Sequence, residues 1–140
     1  MTRPAPRLLL VAASLVVLTA GCSSVDAGTA EDGIRTIEVV IEHSLFVPGT
    51  LHVEPGETVR FVVRNNDPID HEFLIGDEEV QRVHEKGTEA HHRAKPGEIS
   101  VPAEATRSTT YTFGLEGYTL FGCHLPQHYD YGMKGSITIS

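Results

Sequence analysis

From Ile34 to its end the chain alternates apolar and polar residues in short runs broken by proline and glycine, and this constrains its fold more than any other feature. "RTIEVVIE" alternates throughout, and "HSLFVPGTLHVEPGETVRFVVRNN" carries apolar runs interrupted at Pro48-Gly49 and Pro55-Gly56. "EISVPAEATRSTTYTF" repeats the theme with Pro102 as punctuation, and "GYTLFGC" and "GSITIS" add two more runs. A period of two places alternate side chains on opposite faces of a strand, so these are half-buried strands joined by turns. About seven or eight short strands in one unit predict an all-β sandwich with Greek key connections.

One segment departs from that period. "GDEEVQRVHEKGTEAHHRAKPG", residues 76–97, is highly charged, and Val80, Val83 and His84 fall at helical spacing before Gly87 interrupts. A short helix followed by a loop is expected there, inserted between strands. His84, His91 and His92 within it offer a second metal site, against the plainer reading of a solvated insertion.

The first residues belong to another class. Arg3 and Arg7 form a basic start, "LLLVAASLVVL" from Leu8 to Leu18 is uncharged and apolar, and "TAGC" follows. The run is too short for a bilayer-spanning helix, which needs roughly 20 apolar residues, so residues 1–21 read as a secretory signal. A small-residue pair before Cys22 matches a bacterial lipobox, with Thr19 where an aliphatic residue is commoner. Lipidation of Cys22 is expected, the alternative being ordinary signal cleavage nearby. Residues 22–33, small and polar, then form a flexible tether to a domain spanning 34–140.

The cysteine count follows from this reading. Exported chains use cysteines in disulfides, yet with Cys22 lipidated only Cys123 of the two cysteines remains. Charge narrows the partners further. The signal removes two of eleven basic residues and none of nineteen acidic ones, taking the formal charge from −8 to −10. Such a surface repels phosphate backbones, so no nucleic-acid partner is expected.

Cys123 lies in "CHLPQHYDYGM", where a cysteine, two histidines and a methionine are crowded between two strands. A loop there can bend Cys123, His128 and Met133 around one point. Thiolate, imidazole and a weak thioether favour copper, since sulfur suits Cu(I) while nitrogen and thiolate suit Cu(II). Zinc rarely recruits methionine. A fourth ligand is expected from "NNDPIDHEFLIG", where His71 follows a strand and a Pro68 turn.

These residues resemble the cupredoxins, mononuclear blue copper proteins in which an upstream histidine and a C-terminal loop of cysteine, histidine and methionine hold one copper ion. The resemblance runs from about Ile34 to Ser140, with only the 76–97 insertion lacking a counterpart. It implies His71, Cys123, His128 and Met133 as the ligands of one Cu(I)/Cu(II) ion. It also implies a bond between the residues that follow the two ligands, Glu72 and His124, with His124 a clamp rather than a ligand.

Multicopper oxidases share the loop spacing, but Gly122 stands where they carry a histidine, and no two of the eight histidines here are separated by a single residue. The expectation is therefore a non-enzymatic monomer that passes single electrons between redox proteins of the cell envelope. It would be lipid-anchored on the outer face of the cytoplasmic membrane or in the periplasm. The alternative is a periplasmic copper carrier or buffer.

Overall fold

A computed structural model describes residues 33–87 and 95–140. Among these residues nine strands and one helix form a two-sheet sandwich. The strands are β1 (Arg35–Glu42), β2 (Leu45–Val47), β3 (Thr50–Val53), β4 (Thr58–Asn65), β5 (His71–Gly76), β6 (Glu98–Val101), β7 (Thr106–Thr112), β8 (Gly117–Gly122) and β9 (Lys134–Ile139). The helix α1 (Glu78–Glu85) lies between β5 and β6. One sheet runs β2-β1-β4-β7 and the other β3-β9-β8-β5-β6. Parallel pairing of β1 with β4 and of β3 with β9, beside antiparallel neighbours, makes both sheets of the sandwich mixed.

The alternation seen in the sequence becomes the core. Ile37, Val39 and Ile41 of β1 and Val59, Phe61 and Val63 of β4 face inward. The opposite sheet meets them with Phe73, Ile75, Ile99, Phe121 and Ile137. Phe46, Phe61, Phe73 and Phe121 lock the layers, with neighbouring ring centroids 5.3 to 5.7 Å apart.

Strand β5 breaks the half-buried rule, for all six of its residues are buried. Phe73 and Ile75 enter the core, so Glu72, Leu74 and Gly76 point to the outer face of their sheet. The helix in the insertion covers that face. Asp77 caps α1 by accepting from the Val80 amide at 2.9 Å, and Glu78 and Glu79 suit the positive end of the helix. The helix does not turn its valines inward as its apolar spacing suggests. Val80 and Val83 remain 41% and 55% exposed, while Gln81 is buried. The outer face of β5 offers backbone carbonyls, and a primary amide satisfies these where a valine cannot: Gln81 Nε2 donates to Gly76 O at 3.1 Å and to Leu74 O at 3.4 Å.

Close approach of β9 to the core depends on Gly135. A Cβ there would strike the Phe121 ring and stand 2.5 Å from the Gly49 carbonyl oxygen. Gly135→Ala should therefore destabilise the copper-free domain by about 1–3 kcal/mol through overpacking, read from its denaturation midpoint; an unchanged midpoint would show that the sheets yield more easily than this packing implies.

Candidate metal centre

Two loops at one end of the sandwich build the site. The loop before β5 is tied down by Asn65, which is 1% exposed. Its Nδ2 donates to the carbonyls of Ile69, Pro102 and Val101 at 2.8, 3.0 and 3.2 Å, and its Oδ1 accepts from the Asp67 amide at 2.9 Å. Asp70 accepts from the Ala103 amide at 2.9 Å. His71 therefore begins β5 in a fixed place.

The second loop, between β8 and β9, is closed by its own backbone. Cys123 N donates to Met133 O at 3.1 Å, Met133 N to His128 O at 3.0 Å and His128 N to Leu125 O at 3.0 Å. Gly132 takes φ of 100°, a region L side chains rarely adopt, just before Met133. The two loops meet where the Glu72 amide donates to Cys123 Sγ at 3.4 Å.

The side chains converge. His71 Nδ1 lies 3.2 Å from His128 Nδ1, which is 3.3 Å from Cys123 Sγ. Among the described residues these three form the group whose donor atoms lie close enough together to share a metal ion. His71 and Cys123 are buried and His128 is half-buried. Met133, 1% exposed, is buried in the hydrophobic core, and its backbone carbonyl accepts from the Cys123 amide.

The protonation pattern suits a cation. Burial lowers the His71 imidazole below its ordinary range, and nearby His128 adds to this. Asp67 Oδ2 lies 3.0 Å from His71 Nε2, so that nitrogen carries the proton and Nδ1 presents its lone pair to the centre. Burial pushes the Cys123 thiol up to about 11, with the Glu72 carboxylate adding to the rise. A thiolate here needs a positive charge beside it. Soft sulfur with two imidazoles fits a copper ion.

Glu72 and His124, the residues after His71 and Cys123, point the other way, to the outer face beneath α1. The expected Glu72–His124 contact takes a different form from a carboxylate–imidazole bond. Glu72 Oε1 accepts from the His124 backbone amide at 2.6 Å. The His124 ring reaches Gln81 instead, with Nε2 and Gln81 Oε1 2.7 Å apart. Because Gln81 spends its amide hydrogens on backbone carbonyls, its oxygen must accept from His124 Nε2. The ring also stacks on Tyr129, with centroids 4.4 Å apart and planes at 19°, and Lys134 lies over the Tyr129 ring. Burial, then the neighbouring His84, pushes His124 down to about 4, so it stays neutral at pH 7.

Sequence reasoning missed Gln81, one uncharged residue in a charged run. The available signal was its place four residues after the capping Asp77, on the helix face shared with His84. His84 Nε2 lies 3.6 Å from Glu72 Oε1 and 4.0 Å from Glu98 Oε1. His91 and His92, its expected companions in a second metal site, lie outside the described residues, as do Cys22, the signal and most of the tether.

Residues 10–101 match the model of the cupredoxin-like domain, a span containing His71 but ending before Cys123. The chain belongs to the cupredoxin-like family. It is 34% identical over 116 residues to the copper-resistant cuproprotein CopI of Rubrivivax gelatinosus, covering 80% of this chain and 70% of that protein. It is 28% identical over 137 residues to CopI of Pseudomonas aeruginosa, covering 75% and 76% respectively. Among solved structures, auracyanin A, a blue copper protein of Chloroflexus aurantiacus, superposes with a TM-score of 0.60 at 24% identity, covering 77% of this cupredoxin and 100% of that chain. That likeness is one of fold. Family and donor set together support copper as the cofactor.

Two outcomes test the outer face and the buried thiol. Gln81→Ala should cost the copper-free domain about 1–3 kcal/mol, because it strands the His124 N–H and several carbonyls; a loss below about 0.5 kcal/mol would mean that water replaces the amide without penalty. Folded copper-free protein should resist iodoacetamide at pH 8, where a thiol titrating near 11 is about one-thousandth ionised. Rapid alkylation would show a thiol more open than the structure has it.

Proposed function

We propose that this cupredoxin carries single electrons, holding one copper ion through His71, Cys123, His128 and Met133. The observation that carries this reading is the preformed convergence of His71 Nδ1, His128 Nδ1 and Cys123 Sγ, with His71 and Cys123 buried. Copper supplies a one-electron couple when bound, and a set of two imidazoles, a thiolate and a weak thioether suits both of its oxidation states. Such a set leaves no position for a substrate, whereas catalytic metal sites keep one open. The backbone bonds that close the Cys123 loop and the amide on Sγ hold the donors in place, so little rearrangement accompanies an electron.

The half-buried His128 is the expected exit. It lines a cavity of about 490 Å³ with His43, Leu45, Pro126, Gln127 and Tyr131. Leu45, Ile69 and Tyr131 are exposed by 50%, 47% and 78% at that end of the fold. Exposed apolar side chains around a metal edge suit brief docking of redox proteins. An exported domain tethered through a lipidated Cys22 would meet such partners in the cell envelope. Among the described residues no helix is long and apolar enough to cross a membrane.

A second reading is supported by the relatives, both named copper-resistant cuproproteins: the chain would hold or hand on copper as a buffer. The two readings separate in one pair of measurements. An electron carrier should exchange electrons with its own oxidised form rapidly and surrender Cu(I) slowly to a competing chelator, whereas a buffer should do the reverse. Cys123→Ala should abolish intense thiolate-to-copper absorption, and Met133→Gln should keep copper while lowering the reduction potential. Intense absorption surviving in Cys123→Ala would sink the ligand assignment.

A further inference from the structure

Asp67 makes more contacts around the metal centre than any sequence motif suggests. Its Oδ2 stands 3.0 Å from Nε2 of His71, the nitrogen turned away from the centre. The same oxygen accepts from the Ser44 amide at 2.7 Å, and Oδ1 accepts from the His43 amide at 2.7 Å. The carboxylate is buried, and Asn65 fixes its own amide from behind. Asp70, nearer to His71 in sequence, spends an oxygen on the Ala103 amide instead.

His43 and Ser44 form the two-residue turn between β1 and β2, for Glu42 pairs with Leu45 across it. Both take positive φ, 54° and 55°, though neither is glycine. A turn of this type is favourable for glycine or asparagine and costly for histidine and serine. Two charge-assisted bonds from one carboxylate offset that cost. Both residues line the same cavity as His128.

We propose that Asp67 is a positioning residue that locks His71 for copper through a carboxylate–imidazole–metal relay while pinning the His43–Ser44 turn at the rim beside His128. This rests on reading His71 as a copper ligand. A carboxylate accepting the proton of the outer nitrogen makes Nδ1 a stronger donor, and a stronger donor stabilises the more highly charged Cu(II) over Cu(I). The relay therefore holds the reduction potential down. The shared carboxylate also makes the rim and the metal centre one rigid unit.

Asp67→Asn keeps the size and removes the charge, and in the position of Oδ2 it places either a donor or a neutral oxygen. Cu(II) affinity should fall about tenfold or more, with Cu(I) affinity little changed. Tenfold corresponds to a rise in potential of about 59 mV for one electron. His43→Gly and Ser44→Gly, which ease the turn without touching the carboxylate, should leave the potential where it is. A lowered denaturation midpoint in Asp67→Asn with a wild-type potential would reduce Asp67 to a turn-holder and overturn the relay. If the variant does not fold, the wild-type Cu(I) protein, which is diamagnetic, still decides by NMR. A downfield, exchange-protected His71 Nε2 proton supports the relay, and one at an ordinary shift exchanging freely with water overturns it. Failure of wild-type protein to develop thiolate-to-copper absorption with Cu(II) would instead overturn the metal centre itself.

Discussion

Strand alternation at two chain positions governs the metal centre. His71 opens β5 and Cys123 follows β8, neighbours in one sheet; Cys123 belongs to the hydrophobic core, and buried His71 shares a face of β5 with Phe73. The residue after each must then point outward, which sends Glu72 and His124 to the opposite face. One geometrical rule thus makes an inner layer of donors and an outer layer of supports. A shift of one residue in β5 would bury Glu72 where His71 belongs, and one in β8 would do the same with His124 and Cys123.

The outer layer explains why a charged helix interrupts a sandwich. A carboxylate and an imidazole on an uncovered sheet face would be hydrated and free to move. Under α1 they are buried and bonded: Glu72 holds the backbone of the cysteine loop, while Gln81 holds the His124 ring against Tyr129. Gly122 belongs to the same arrangement. A Cβ there would stand 2.5 Å from the Tyr129 ring and 3.1 Å from Gln81 Oε1, so the histidine that multicopper oxidases place at this point has no room here.

Much of this was legible in the chain because the signals were periodic or clustered. Alternation around Ile37, Val39 and Ile41 marked the sheets, and the crowding of Cys123 and His128 marked the loop that meets His71. What escaped was carried by single polar residues whose partners are distant in sequence. Gln81 meets His124 across 43 positions and Asp67 meets the His43 turn across 24, and nothing local marks either. The form of the Glu72–His124 contact escaped for a related reason. Sequence places two residues side by side, but whether a carboxylate meets a ring or a backbone amide depends on where a helix from elsewhere draws the ring.

On the proposed reading, the protein rather than the oxidation state sets the geometry around copper. X-ray absorption at the copper edge, recorded on the same protein with Cu(II) and then with Cu(I), tests it directly. One short sulfur and two nitrogen neighbours should be present in both states, with metal–ligand distances nearly unchanged between them. Loss of a nitrogen neighbour on reduction, or replacement of the set by oxygen donors on oxidation, would contradict a preformed electron-transfer site.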